Sequence, residues 1–212
     1  GILTTPKLAR IDGMETFKGD SFHTSRWRYD VDLEGKTVGI IGTGATAVQA
    51  VPELAKVVGE LYVFQRTPSS IDVRDQRVTA SQEIEDWKEE PGWARARRKR
   101  FSKISAGRSA IQANDDYLAG KVEHFKERKE HARKLTPEEM VEKQLDSNFR
   151  IMEQIRARVD AIVEDPKTAE ALKPYYPYGC KRPTFHDEYL PTFNLPHVHL
   201  VDTAPIGVTN IN

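Results

Sequence analysis

The sequence predicts an α/β fold interrupted by a long helical region. Residues 36–66 read as strand, glycine turn, helix and strand, and residues 79–173 are highly charged with apolar positions at helical spacing. A further strand candidate, His197-Val198-His199-Leu200-Val201, lies in a closing segment rich in Pro and aromatics. The 212 residues suffice for a buried core and are short for two full domains. Hydrophobic residues make up 38%, charged residues 30%, and the mean hydropathy is −0.60. That is too apolar for general disorder and too broken up for a membrane span. Lys and Arg number 32, Asp and Glu 32, so net charge gives no reason to expect nucleic acid or an anionic membrane as partner. The single cysteine, Cys180, excludes an internal disulfide and a Cys-rich metal site, and no metal is expected. The opening Gly1-Ile2-Leu3-Thr4-Thr5-Pro6 lacks the basic start and apolar segment of a signal peptide, so the expected location is cytoplasmic.

Each element has its own signal. Residues 1–35 hold short apolar groups, Gly and aromatics, and read as irregular. Lys36-Thr37-Val38-Gly39-Ile40-Ile41 is a buried-strand run, and Gly42-Thr43-Gly44 is a turn. Ala47, Val48, Val51, Leu54, Ala55 and Val58 recur at helical spacing, and Pro52 among them should kink the helix or leave a hydrogen bond unmade. Leu61-Tyr62-Val63-Phe64-Gln65 is the second strand, broken by Arg66-Thr67-Pro68-Ser69-Ser70. Gly92, Gly107 and Gly120 divide the next region into shorter helices. Thr136-Pro137-Glu138-Glu139 then opens a long one: Thr136 caps, Pro137 suits the first helical position, and Glu139 stands at the capping-box position. Its apolar residues at 141, 145, 149, 152, 155, 159 and 162 make one stripe. Asp165-Pro166 ends it, with Asp165 placed to cap a short helix behind.

Gly42-Thr43-Gly44-Ala45-Thr46-Ala47 fits G-x-G-x-x-A between a strand and a helix, the context that motif requires. Gly42 allows the sharp turn, Gly44 lets a pyrophosphate approach the backbone, and Ala47 lets helix and strand pack closely. The helix N-terminus then offers free N–H groups and a positive dipole to the phosphates. At the end of the second strand, where an NAD site usually carries a carboxylate for the ribose 2′-hydroxyl, stand Arg66 and Thr67. A guanidinium attracts a 2′-phosphate that a carboxylate would repel, which favours NADP(H). The alternatives are a ligand-free strand-to-helix turn and a solvated loop arginine.

Phe17-Lys18-Gly19-Asp20-Ser21-Phe22-His23-Thr24-Ser25-Arg26-Trp27-Arg28 resembles the Baeyer–Villiger monooxygenase fingerprint F-x-G-x-x-x-H-x-x-x-W followed by Pro or Asp. It matches at Phe17, Gly19, His23 and Trp27 and departs at Arg28. Gly1–Pro6 with Ile11-Asp12-Gly13 looks like the family's linker into its NADPH domain. Gly179-Cys180-Lys181-Arg182-Pro183 and His186-Asp187-Glu188-Tyr189 look like the stretch after its helical insertion. The resemblance implies that Gly42, Thr43, Gly44, Ala45, Thr46, Ala47 and Gln49 line the pyrophosphate. It implies that Arg66, Thr67 and Lys181 hold the 2′-phosphate, with Arg182 as the active-site arginine that stabilises an anionic flavin peroxide and helps place the nicotinamide. His23 and its loop would couple domain movement to catalysis. NADPH would reduce FAD, and the oxygenated flavin would convert a ketone with O2 into an ester or lactone.

The chain has one G-x-G turn, so the family's FAD site would lie in an FAD-binding domain absent from it, and the chain would bind NADPH without completing oxygenation. The implied fold is a Rossmann-like, three-layer nucleotide-binding domain with an all-helical insertion. Residues 1–35 are then linker and fingerprint, 36–78 with 174–212 the NADPH-binding domain, and 79–173 the insertion. The alternatives are an N- or S-oxygenating flavin monooxygenase, against which Trp27 argues, and a non-catalytic NADP-binding or interaction remnant.

The remaining features read as structural. The basic run Arg95, Arg97, Arg98, Lys99, Arg100 and Lys103 is a solvated or partner-facing helix, with no interleaved aromatic platform. His197 and His199 lack a third ligand for zinc. Asp115-Asp116 and Glu138-Glu139 are adjacent on helices and do not face each other. Trp87 and Trp93 read as packing of the insertion, and Cys180 as a small structural residue.

Overall fold

A computed structural model describes residues 9–89, 91–105 and 136–212; Gly1–Pro6, Gly107, Gly120 and Asp115-Asp116 lie outside the described residues. The chain forms two compact units, divided between Arg74 and Asp75 and between Arg150 and Ile151. In chain order the described elements are β1 (Thr37–Ile41), α1 (Ala45–Ala55), β2 (Glu60–Gln65), β3 (Ile71–Asp72), α2 (Ser81–Glu89), α3 (Trp93–Ser105), α4 (Pro137–Ile162), α5 (Pro166–Leu172), β4 (Thr184–Phe185), α6 (Tyr189–Thr192) and β5 (Val198–Asp202), with a 3₁₀ turn at Thr24–Arg26. The fold is mixed α/β with a parallel sheet.

In the first unit that sheet has the order β1-β2-β5, both pairings parallel, with Val38 opposite Leu61 and Leu61 opposite Val198. Strand alternation sends Leu61, Val63 and Gln65 into the core and leaves Tyr62 and Phe64 half-buried on the other face. The buried face joins Ile40 and Val198 to Ala47, Val48, Val51, Leu54 and Ala55 of α1. Pro52 is buried within α1 and does not end it; the helix stops at Ala55, and Val57 and Val58 turn back on the Leu54 carbonyl at 3.0 Å each. Val159, Val163, Ala169, Leu172, Tyr189, Leu190 and Phe193 complete this core. Asp165 caps α5: its carboxylate accepts the Thr168 N–H at 2.8 Å, and the Thr168 side chain together with that N–H holds the carboxyl below its usual range. β3 and β4 form a separate parallel pair that the sequence did not announce, because two residues carry no periodicity.

The two flanks of this unit are stitched together. Asp12 pairs with Asn210, and the Ile211 N–H donates to the Asp12 carbonyl at 2.8 Å. Gly13 makes this possible: its φ is +86°, and a Cβ there would sit 1.8 Å from the Ile211 carbonyl oxygen.

The second unit contains α2, α3 and the first part of α4. Trp87 and Trp93 stack at 4.8 Å and 12°, and the Arg97 guanidinium lies 5.1 Å from the Trp87 ring. The capping box of α4 is formed, with Thr136 N–H donating to Glu139 at 2.8 Å and Glu139 N–H to the Thr136 hydroxyl at 3.3 Å. The stripe of α4 does not behave as one face. Val141, Leu145 and Phe149 are exposed, whereas Met152, Ile155 and Val159 are buried in the first unit. Helical spacing shows which residues align and not what covers them. Among the described residues no helix is long and apolar enough to cross a membrane.

Two outcomes follow from this packing. Leu61→Ala, at a fully buried central-strand position, loses about 2–5 kcal/mol of stability in urea unfolding. Glu83 accepts both guanidinium nitrogens of Arg77, at 2.7 and 2.8 Å, and the Ala80 N–H, which lowers its carboxyl to about 2. The depressed value means the contribution is present above the ordinary glutamate range and lost as pH falls toward 2. NMR titration of this carboxyl should give a midpoint near 2 in the parent chain and a higher one in Arg77→Gln, where the Ala80 N–H still favours the carboxylate.

Candidate nucleotide-binding site

β1 ends at Ile41, and Gly42 turns the chain with φ +105°, a conformation that a side chain would strain. Gly44 is the N-cap of α1 and caps it with no side chain; the first helical bond is Val48 N–H to Gly44 carbonyl at 3.0 Å. The first turn carries no acidic residue, and a Cβ built on Gly44 meets nothing within 4 Å. The amides of Ala45 and Thr46 thus open onto an uncrowded surface at the positive end of the helix. Ala45, Thr46 and Gln49 are exposed there, whereas Ala47 is buried in the helix–strand contact. Gln49 folds back on its own helix, donating to the Ala45 carbonyl at 2.8 Å.

The end of β2 is fastened to this turn. The Thr43 hydroxyl, in a buried residue, donates to the Thr67 carbonyl at 2.7 Å; the Ser69 hydroxyl donates to the Thr43 carbonyl; and Gly42 N–H donates to the Phe64 carbonyl at 2.9 Å. Arg66 is exposed between these fixed points. From Ser70 the connection continues. Its N–H donates to the Tyr176 hydroxyl at 3.1 Å, and the Lys181 ammonium lies 5.3 Å from the Tyr176 ring centre. Burial pushes the Tyr176 phenol up, and that of Tyr178 to about 12. Arg182 is exposed shortly before β4, and among the described residues no hydrogen bond or ion pair links it to the glycine turn.

The segment at residues 17–28 reaches α1 from another side. An open pocket of about 270 Å³ is lined by Thr24, Trp27, Thr46, Gln49 and Ala50. Trp27 packs against the core and edge-on to Phe22 at 5.2 Å. His23 is exposed, and its Nδ1 caps the 3₁₀ turn by accepting the Ser25 N–H at 3.1 Å. A Cβ on Gly19 would meet the Phe17 ring at 2.7 Å. Arg28 bridges Asp20, at 3.0 Å, and Asp30, whose carboxyl it holds below the usual range. The structure therefore joins the glycine turn by direct bonds to Phe64 and Thr67, which flank Arg66, to Lys181 through Tyr176, and to Trp27 through the pocket.

His197 and His199 take separate partners, the Ala55 carbonyl at 2.9 Å and Glu60 at 2.7 Å. Among the described residues no group of three or more His, Cys, Asp or Glu could hold a metal. Sequence reasoning missed Ser69, Tyr176, Thr203 and Gly207. Only Gly207 carried a local sign, a glycine in a Pro-containing turn.

No family model matches the chain. The polycyclic ketone monooxygenase of Thermothelomyces thermophilus is 46% identical over all of this chain and 36% of its own length. A protein of Stachybotrys chlorohalonatus named Baeyer-Villiger monooxygenase ATR8 is 45% identical over 98% of this chain and 35% of its own. The chain is a homologue of part of the Baeyer–Villiger monooxygenases. Solved structures agree. That of the Thermothelomyces polycyclic ketone monooxygenase matches with TM-score 0.81 at 45% identity over 100% of this chain and 37% of its own. That of OTEMO in complex with FAD and NADP matches with TM-score 0.65 at 29% identity, over 95% of this chain and 40% of its own. The chain spans about a third of the length of the curated relatives it matches, between 35% and 38%.

Thr43→Val removes one hydroxyl donor and leaves the Thr67 carbonyl without it, so we expect a stability loss of about 1 kcal/mol with an unchanged denaturant slope.

Proposed function

We propose that this chain is the NADP(H)-binding part of a flavin-dependent Baeyer–Villiger monooxygenase acting on a ketone. The carrying observation is the uncapped N-terminus of α1, tied by Thr43 to the strand end that presents Arg66. The residues fit the dinucleotide: Gly44 leaves its approach open, and no carboxylate stands in the first turn. Gly42 to Ala47 and Gln49 would hold the pyrophosphate, and Arg66, Thr67 and Lys181 the 2′-phosphate. Arg182 would hold negative charge on an oxygen near the nicotinamide without giving up a proton readily. When bound, NADPH supplies a hydride. The G-x-G-x-x-A turn is used by NADP(H), and we find no second such turn in the sequence for FAD. FAD would be held by a separate FAD-binding domain, which would also meet the ketone and O2.

In this reading residues 36–78 and 174–212 form the Rossmann-like domain of a three-layer fold, 79–173 the helical insertion, and 1–35 the linker and fingerprint. Trp27, which lines the pocket at α1, and His23, which caps the 3₁₀ turn leading to it, would pass nucleotide binding on to the linker. We place the protein in the cytoplasm. The relatives' names support the ketone substrate and the OTEMO complex the cofactor pair.

Calorimetric titration of the chain with NADP+ and NAD+ tests the reading. NADP+ should bind clearly and NAD+ much more weakly, and Arg66→Ala should weaken NADP+ by about 10- to 100-fold, the worth of a hydrogen bond to a charged group, with little effect on NAD+. Equal binding of the two dinucleotides, or none of either, would overturn it.

A further inference from the structure

We infer that the turn Asp202–Gly207 is a positioning element for Arg66 and so sets the preference for a 2′-phosphorylated dinucleotide; this rests on the NADP(H) reading above. Thr203 fixes the turn to the end of β2. Its N–H donates to the Gln65 carbonyl at 2.7 Å, and its hydroxyl to the same carbonyl at 2.9 Å. Gln65 is buried, with its side-chain amide donating to the Ala171 carbonyl at 2.7 Å. On the other side, the Thr67 carbonyl is held by Thr43. The backbone flanking Arg66 is therefore fixed, and what freedom remains lies in its side chain.

Gly207 restricts that freedom. A Cβ built on it would lie 3.4 Å from Arg66 Cδ and 3.9 Å from Cγ, so the arginine stem runs against the bare glycine backbone. Gly207 has φ +91°, and its N–H closes the turn on the Thr203 carbonyl at 2.8 Å. The Asp202 carboxylate is engaged within the turn, accepting the Ala204 N–H at 3.0 Å. Among the described residues the Arg66 guanidinium has no ion-pair partner. An arginine with a supported stem and a free head loses less rotamer entropy on gripping a phosphate than one that is free throughout. The turn's hydrogen bonds to β2 go to Gln65 and its bare glycine lies against Arg66, so its effect should fall on the 2′-phosphate.

The test is the ratio of Kd for NAD+ to Kd for NADP+ in the full chain and in Arg66→Ala, Thr203→Val, Thr203→Ser and Gly207→Ala. Thr203→Val and Gly207→Ala should each lower the ratio by about three- to tenfold, the scale of one hydrogen bond, while NAD+ affinity stays within about twofold; Thr203→Ser should retain the parent ratio. Gly207→Ala strains the turn, so Thr203→Val decides if that variant does not fold. A parent chain that does not discriminate the dinucleotides overturns the NADP(H) reading itself. A parent that discriminates and loses this in Arg66→Ala, while Thr203→Val keeps the ratio, overturns the positioning role alone. Equal weakening of both dinucleotides in Thr203→Val also overturns it, because a purely structural defect lowers both.

Discussion

The Thr43 hydroxyl bonded to the Thr67 carbonyl is the contact on which the candidate site depends. A helix N-terminus attracts anions only if its amides stay open, so α1 cannot be capped by its own side chain without spending the feature that makes it useful. Gly44 fills the N-cap position with nothing to donate or accept from a side chain. Fixation of the turn must then come from outside it, and it comes sideways, from Thr43, Ser69 and Gly42 to the strand end. The result is a helix N-terminus that is held at the backbone and left open by its glycine N-cap. This is preorganisation: the cost of ordering is met on folding and not on binding.

The energetic weight lies elsewhere. The buried set of Leu61, Val63, Val48, Val51, Val159 and Leu190 carries the unit's stability, since each fully buried aliphatic side chain is worth roughly 1.5–3 kcal/mol. The ion pairs of Arg28, Lys56 and Arg150 are exposed and contribute little by comparison. Arg28 is instructive: it stands where the related fingerprint has Pro or Asp, and it closes the loop by pairing with Asp20 and Asp30. The loop is held by a different means at that position, with Trp27 still against the core.

Local signals were legible and distant ones were not. The strand, glycine turn, helix and second strand could be read because period, Gly and β-branched runs all lie within thirty or so residues. The cap of α5 and the capping box of α4 were likewise written in adjacent residues. The support of Arg66 was not, because Thr203 bonds to Gln65 across 138 positions. Tyr176 meets Ser70 across 106, and nothing in a run of aromatics says which hydroxyl will find which amide. The stripe of α4 shows the same limit from another side: Val141 and Val159 obey one spacing, and only the fold decides that the first is exposed and the second buried.

The pairing of Asp12 with Asn210, made possible by the bare Gly13, brings residues nearly 200 positions apart into hydrogen-bond contact. A unit whose incoming and outgoing backbones touch can be spliced into a host protein at a single surface point, without stretching the host. It can also be lifted out by joining the two cut ends with a few residues. For protein engineering this makes the unit a portable cassette: exchange between relatives at Asp12 and Asn210 replaces the sheet and its helices as a block while preserving the geometry of the junction.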